Sequence, residues 1–293
     1  MKFENTQVWG FDHALRGMRN AKNSWNKADS GYKCSRGNKI CKDCFFESCS
    51  GPTSKYVIGP NDMKLIQSLI KGGPEHRKFM RQIFVSVDIT APLYWWKEFD
   101  TYKVGTVANS TSTMHTIEKS PITINNFEID DLTNLQMQIP LVGMTETLEH
   151  CTNVIIDTCE GLRQKYLETR DKRYWKELIR WLPESWLQTR TITMNYENLF
   201  SMCSKGQRRF HKLNEWSGQD DSSLENFISW ARTLPYAQEL IFADELWEEE
   251  EKLKQEKIRA FDILTNMLRT IDIDVDNMTV EELLNEITNA LNL

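Results

Sequence analysis

Long hydrophobic runs are absent from this sequence. No stretch of about 18 apolar residues, the length that a membrane-spanning helix needs, occurs in its 293 residues. The N-terminal residues also lack the apolar core of a secretory signal peptide. We therefore expect a cytoplasmic protein with no membrane partner, whose seven cysteines are thiols rather than a disulfide framework.

An excess of positive charge is also absent. The chain carries 36 lysines and arginines against 42 aspartates and glutamates, which gives a net charge of −6. Because a protein that coats a nucleic-acid backbone usually presents a broad basic face, we do not expect a nucleic acid as a partner. A small anionic ligand remains open, since a few local cations suffice to bind one.

Four of the cysteines are concentrated in one segment, residues 28–58, which is rich in Gly, Ser, Lys and Asn and reads as an insertion. Cys41 and Cys44 have the Cys-x-x-Cys spacing that lets two thiolates reach one tetrahedral zinc ion. The predicted zinc ligands are Cys34, Cys41, Cys44 and Cys49. The alternative is that these cysteines are surface thiols that bind no metal. The segment also leaves open a second function, a regulatory module that is stabilised by zinc and binds nucleic acid.

The clearest strand lies between residues 83 and 89. Four apolar side chains alternate there with Ser86 and Asp88, so one face is apolar and the other can point polar groups at a ligand. A segment of Asn, Ser and Thr follows at residues 109–113. Such short donors and acceptors suit phosphate, ribose or base edges, although a core strand followed by an ordinary loop gives the same pattern.

Three other stretches carry local signals. Thr191–Met194 reads as a strand, and a helix is predicted to begin near Asn195. The free N–H groups of this helix start can bind an anion. An ordinary connection from strand to helix, capped by Asn195, is the alternative. Arg16 and Arg19 lie on one side of an early helix, where they can bind an anion or face solvent. A helix after Gly59 is predicted to be capped by Asn61 or Asp62.

The helical pattern extends over residues 145–180, with Val154 and Ile155 on its apolar side. The composition then changes at the run of acids Glu248–Glu251, and Thr279 with Glu282 has the spacing of a helix capping box. We predict one domain over residues 1–247 and an acidic helical tail over 248–293 that serves association.

The order and spacing of short motifs over roughly residues 8–240, leaving out the cysteine segment, resemble the flavin-dependent thymidylate synthases. The motifs that carry the resemblance are Ala14–Arg19, His76, Ala91-Pro92, Leu182-Pro183 and Asn195–Leu199. Thr101-Tyr102-Lys103 stands where that family has Arg-His-Arg, Asn109 and Ser112 match two further signature positions, Met114 replaces an arginine, and Glu197 replaces another.

The resemblance implies an α+β fold with a central antiparallel or mixed sheet and long helices, assembled as a homotetramer. It implies FAD as cofactor, NADPH and methylenetetrahydrofolate as co-substrates, and one-carbon transfer to a pyrimidine deoxynucleotide. The implied catalytic residues are His76 and Ser112. The implied cofactor-binding residues are Tyr102, Lys103, Asn109 and Asn195. The implied substrate-binding residues are Arg16, Arg19, Ser110, Ser112 and Glu197.

Glu197 would repel a phosphate at the position of the family's arginine, unless it pairs with an arginine such as Arg208 or accepts a hydrogen bond from a different base. A member of the fold that has lost catalysis, and acts as a nucleotide- or flavin-binding or structural oligomer, is the alternative function.

Overall fold

An antiparallel sheet of four strands organises the fold in a computed structural model of the chain. The structure describes residues 1–36, 40–41, 52–102, 104–129, 138–141, 143–204, 209–220, 222, 224–270, 278–279 and 282. The described chain divides into two compact units, Met1–Phe242 and Ala243–Leu293.

The strands are β1 Lys2–Trp9, β2 Gly31–Cys34, β3 Pro52–Val57, β4 Phe84–Pro92, β5 Val107–Ser110, β6 Gln138–Leu141, β7 Met144–Thr147 and β8 Leu187–Asn195. The α-helices of the first unit are α1 Phe11–Met18, α2 Pro60–Lys71, α3 Leu93–Phe99, α4 Thr113–Thr116, α5 Leu148–Thr169, α6 Lys172–Trp181, α7 Tyr196–Cys203, α8 Asn214–Ser217, α9 Phe227–Arg232 and α10 Ala237–Leu240. The second unit contains α11, Ala243–Thr270.

The central sheet has the strand order β1-β4-β8-β5, and every neighbouring pair is antiparallel. Strands β4 and β8 pair along their whole length, from Phe84 opposite Asn195 to Pro92 opposite Leu187. The predicted apolar face of β4 is confirmed, because the side chains at positions 83, 85, 87 and 89 are all buried. The predicted α+β fold with an antiparallel sheet is confirmed as well.

The opposite face of the sheet is polar. Asp88 accepts hydrogen bonds from Asn5 Nδ2 at 2.8 Å and from Thr191 Oγ1 at 2.5 Å. Hydrogen bonds from Thr191 and Asn5 hold the pKa of Asp88 below its usual value. Thr90 and Thr189 continue the pattern, with their hydroxyls 2.7 Å apart.

An aromatic core beneath the sheet accounts for the tryptophan-rich stretch of the sequence. Trp95 and Trp96 on α3 are fully buried, and their rings lie 5.0 Å apart. Trp95 also packs on Trp216 and Phe227, with ring centroids at 5.4 and 5.8 Å. Trp96 donates its indole N–H to the carbonyl of Gln188, which fixes α3 against β8.

The helical pattern of residues 145–180 resolves into α5 and α6, which are separated where Arg170 adopts a left-handed conformation with φ 56°. The predicted apolar side is wrong at Val154 and Ile155, which are 49% and 37% exposed. The buried side of α5 instead runs through Ile156 and Cys159, one helical turn apart.

In the predicted insertion, β2 near its start pairs antiparallel with β3 at its end, and two aspartates connect it to α2. Asp29 accepts from the backbone N–H groups of Asn61 and Asp62 at 2.8 and 3.0 Å. The predicted cap at Asn61 or Asp62 is therefore wrong: Gly59 is the N-cap residue, Pro60 occupies the first turn, and the carboxylate of Asp29 satisfies the backbone donors.

In the second unit, α11 begins at Ala243, ahead of the acidic run that marked the predicted tail. The capping-box prediction is confirmed, because Thr279 and Glu282 exchange backbone and side-chain hydrogen bonds at 2.8 to 3.3 Å. Among the described residues, no helix is both long and apolar enough to cross a membrane.

Candidate functional site

The candidate site lies where β8 passes into α7. Asn195, the last residue of β8, is the N-cap of α7, as predicted. Its side-chain oxygen accepts from the backbone N–H of Asn198 at 2.9 Å, and the Asn198 side chain accepts from the Asn195 N–H at 3.1 Å. This reciprocal capping box fixes the helix start and commits both side-chain oxygens.

The turn before β5 is held against the same helix start. Asn198 donates its Nδ2 group to the carbonyl of Val104 at 2.7 Å. Gly105 follows with φ 80°, a conformation that glycine adopts without steric cost. The turn and the helix terminus therefore form two walls of one cleft.

The cleft has a volume of about 490 Å³, which falls within the range of small-ligand pockets. Its lining residues are Arg81, Tyr102, Val104, Gly105, Asn195, Glu197, Asn198, Ser201 and Met202. The sequence predictions Tyr102, Asn195 and Glu197 are therefore brought together, while Arg81 and Ser201 were not predicted.

Glu197 is held in an ion pair at this cleft. Nε of Arg77 lies 3.0 Å from both carboxylate oxygens, and the two side chains are only 16% and 13% exposed. The Arg77 guanidinium also lies 4.4 Å from the ring centroid of Phe200. The sequence led us to expect an arginine partner such as Arg208. The partner is Arg77, and Arg208 lies outside the described residues.

Tyr102 connects the cleft to a second polar group. Its hydroxyl donates to Oε1 of Glu98 at 3.1 Å, and Nε2 of His211 lies 3.4 Å from the same oxygen. Nδ1 of His211 accepts from the backbone N–H of Leu213 at 3.0 Å. The proton of a neutral His211 therefore sits on Nε2 and faces Glu98.

The two predicted catalytic residues lie on the surface. His76 is exposed in the turn before a 3-10 helix, Arg77–Gln82, and its ring packs beside Gly72. Ser112 precedes α4, and its hydroxyl lies 2.7 Å from Nδ1 of His115. Neither residue lines the cleft.

The predicted ligand residues of β5 are divided between the two faces of the sheet. Asn109 stands opposite Thr191 and Ser110 opposite Arg190, so their side chains alternate. Neither one lines the cleft. Lys103, predicted to bind the cofactor, lies outside the described residues.

Arg16 and Arg19 line a different cavity, of about 420 Å³. Arg19 is only 4% exposed, and its Nε donates to Oδ1 of Asp62 at 2.6 Å. Its Nη1 group donates to the carbonyl of Ser24 at 3.3 Å. The structure thus gives Arg19 internal partners and leaves Arg16 exposed.

Two of the four predicted zinc ligands are described. Cys34 ends β2, and Cys41 follows an isolated bridge, with its backbone N–H bonded to the carbonyl of Tyr32 at 2.7 Å. Cys44 and Cys49 lie outside the described residues. Within the described part of the chain, no group of three or more His, Cys, Asp or Glu side chains is placed to hold a metal ion.

Arg77 and Arg81, which the sequence analysis did not predict, are recognisable by their position in the sequence. Arg77 and Arg81 lie four residues apart directly before the strand β4. The sequence prediction named His76 in this stretch and neither arginine, although a guanidinium makes strong charge-assisted hydrogen bonds to carboxylates and phosphates.

A scan against models of protein families gave no match, and a search of curated protein sequences gave none. Among solved structures, this chain is similar to the flavin-dependent thymidylate synthase ThyX of Helicobacter pylori complexed with FAD and dUMP. In that comparison the identity is 15%, the TM-score is 0.51, and 83% of this chain and 99% of the other are covered.

A second structure of the Helicobacter pylori enzyme with FAD and dUMP has a TM-score of 0.49, an identity of 16% and a coverage of 83% and 98%. The UMP/dUMP methylase PolB of Streptomyces cacaoi, bound with 5-Br UMP, has a TM-score of 0.39, an identity of 13% and a coverage of 68% and 74%. The likeness at a TM-score of 0.51 confirms the predicted resemblance at the level of the fold.

Proposed function

Since the chain has the fold of a flavin-dependent thymidylate synthase, we propose that it binds a pyrimidine deoxynucleotide and transfers a one-carbon unit to the base with a flavin as redox cofactor. The observation that carries this proposal is the donor set of the cleft. Arg81, the amide of Asn195 and the hydroxyl of Ser201 line one cavity of nucleotide size.

The same donor set fits the phosphate groups of the expected ligands. Guanidinium, amide N–H and hydroxyl groups all donate to phosphate oxygens, so Arg81, Asn195 and Ser201 would hold either dUMP or the diphosphate of FAD. A bound flavin would supply the hydride that reduces the transferred carbon to a methyl group. The protein itself would bind and orient the nucleotide and the flavin and exclude water from the cleft.

Tyr102 is the residue of the cleft best placed to hold a proton. Its hydroxyl is oriented by Glu98, and His211 faces the same carboxylate. When C5 of the base gains a carbon, it must lose its own hydrogen as a proton. The hydrogen-bonded side chains of Tyr102, Glu98 and His211 would accept and hold that proton at the edge of the cleft.

A nucleotide-binding protein of the same fold without catalysis is the second candidate function. The placement of His76 and Ser112 favours it, because neither residue lines the cleft. Both candidates require nucleotide binding, and only the first requires turnover.

The test uses the purified full chain, its visible absorption spectrum, and dUMP that carries tritium at C5. We expect bound flavin, and tritium release to water that depends on NADPH and methylenetetrahydrofolate. Arg180→Gln is the matched control, since this exposed arginine pairs with Glu177 away from the cleft. Binding of flavin and dUMP without tritium release supports the second candidate. Absence of both flavin and dUMP binding refutes both candidates.

A further inference from the structure

We propose that α11 is a docking surface for a second copy of this chain, and that two α11 helices pair antiparallel about Leu253. The helix belongs to the second compact unit and lies beyond residues 8–240, over which the family resemblance extends. The inference concerns assembly through this added helix, so it does not depend on the proposed function.

The middle of α11 is exposed on every side. All twelve residues of 249–260 are exposed, and together they make about three turns of helix. Leu253 lies within this stretch and is 52% exposed. Most helical stability in proteins comes from packing an apolar face against a partner. A partner that covers Leu253 would therefore stabilise the helix and remove apolar surface from water.

The charge of α11 changes sign along its length. Residues 243–251 include six acids and no base, whereas residues 252–260 include four bases and one acid. A second α11 that runs in the opposite direction places its basic half beside the acidic half of the first. Two parallel helices in register would place like charges together, which opposes association. The charge pattern therefore fits a second copy, and it fits that copy in the antiparallel direction.

One face of the helix carries this complementarity at the level of single residues. Glu250, Leu253 and Lys257 are spaced by three and four residues, so their side chains lie on one side of the helix. In an antiparallel pair centred on Leu253, Glu250 of one helix lies level with residue 256 of the other and so beside Lys257. The two Leu253 side chains then meet at the two-fold axis, and one Glu250–Lys257 ion pair forms on either side of them.

The two charged side chains of this face are available for such a pair. Glu250 and Lys257 are exposed, and neither side chain has an ion-pair or hydrogen-bond partner among the described residues. Glu251, by contrast, pairs with Lys254 of the same helix at 3.9 Å. The acid and the base nearest to Leu253 on its own face are therefore left for another molecule.

The experiment is sedimentation equilibrium of the full chain over a range of protein concentrations. We expect the average mass to rise with concentration. Glu250→Lys and Lys257→Glu should each weaken this association about tenfold, because each replaces two ion pairs by contacts between like charges. Asp262→Lys is the matched control and should change nothing. It makes the same change of charge at an exposed residue of α11, nine positions from Leu253 and thus on the opposite side of the helix.

The combined variant tests the direction of the pair. Glu250→Lys/Lys257→Glu restores both ion pairs in an antiparallel arrangement and should recover the native association. A mixture of Glu250→Lys chains with Lys257→Glu chains should likewise associate more tightly than either variant alone. In a parallel pair in register, like charges face each other in the native protein and in both single variants, so neither single variant should weaken the association.

The apolar centre of the pair is tested separately. Leu253→Lys should weaken the association about tenfold or more, because it places two cations at the two-fold axis and removes the apolar contact. Leu253→Met keeps the apolar volume and should associate like the native protein. Thermal unfolding of each variant verifies that the fold is retained.

Each outcome supports or overturns the inference. An average mass that is the same in the native protein and in Leu253→Lys at every concentration overturns it. A lower thermal stability of Leu253→Lys without a change of mass overturns it as well, because the face is then covered by another segment of the same chain. Loss of association in Leu253→Lys but in neither charge variant overturns the antiparallel arrangement. Flavin binding and tritium release test the proposed function independently of all these results.

Discussion

Replacement of Asp62 tests whether Arg19 serves the core or a ligand. The carboxylate of Asp62 is 1% exposed and accepts four hydrogen bonds: from Arg19 Nε at 2.6 Å, from Ser30 Oγ at 2.6 Å, and from the backbone N–H groups of Asp29 and Ser30 at 3.0 Å. Asp62→Ala would leave the buried Arg19 cation without its anion.

The magnitude follows from this burial. Breaking a buried ion pair by removing one partner costs about 3–5 kcal/mol, because the remaining charge is uncompensated. In a unit of this size, each kcal/mol lowers Tm by about 2–4 °C, so the expected loss is about 10 °C. Burial by itself raises the pKa of Asp62, but hydrogen bonds from Ser30 and Arg19 lower it by more, and the net pKa is below the usual value. The stabilisation is therefore present above the carboxyl pKa of the unfolded chain and is lost as the pH falls through the folded pKa.

The assay is thermal unfolding by circular dichroism at neutral pH, together with dUMP titration of each variant that remains folded. Glu168→Gln is the control, since the Lys165–Glu168 pair is exposed and its loss should shift Tm by less than about 1 °C. Arg19→Met/Asp62→Leu should be more stable than Asp62→Ala, because no buried charge is left alone. A Tm of Asp62→Ala within about 2 °C of the native value would refute the reasoning. An Arg19→Met variant with native Tm but no dUMP affinity would instead establish the predicted substrate role of Arg19.

Further predictions concern acid stability, metal and flavin. Hydrogen bonds from Arg163 lower the pKa of Glu160 from 4.5 to about 2. Glu160→Gln should therefore lower the free energy of unfolding by about 1–2 kcal/mol at pH 7, and this loss should shrink as the pH falls from 4.5 towards 2. A loss of stability in denaturant unfolding that is independent of pH would contradict this. If the four cysteines of residues 28–58 bind zinc, elemental analysis should give about one zinc per chain and Cys41→Ser should release it, whereas metal-free protein with four titrating thiols in this segment would refute the site. The family resemblance implies that His76 contacts the flavin although it does not line the cleft, so His76→Ala should lower flavin retention or turnover. Because the residue is exposed, Tm should change little; a large Tm loss with unchanged flavin binding would show a purely structural histidine.

The parts of the fold that the sequence predicts correctly are governed by local rules. The strict alternation over residues 83–89 identifies the buried face of β4, and an asparagine after a β-branched run identifies the start of α7. On α5 the same kind of argument fails at Val154 and Ile155. Apolar residues occupy more than one side of that helix, so the pattern does not fix which side is buried.

The site depends on contacts that no local rule contains. Arg77 and Glu197 are 120 residues apart, and Asp29 caps a helix that begins 31 positions later. An ion pair at such a separation is decided by how β4 and β8 are brought together. The sequence therefore identifies Glu197 as unusual and Asn195 as a helix start, but it cannot identify the arginine that neutralises Glu197.

The attachment of the predicted insertion, residues 28–58, to α2 has an evolutionary consequence. The two ends of the segment meet at one place, where the backbone N–H of Gly59 donates to the hydroxyl of Ser30 at 3.0 Å. Because the entropy of closing a loop changes only slowly with its length, sequence between such ends can be gained or lost at little cost to the rest of the fold. The cysteine-bearing stretch is therefore a position at which a gene can acquire a new module while the sheet, and the cleft at the end of β8, stay under separate selection.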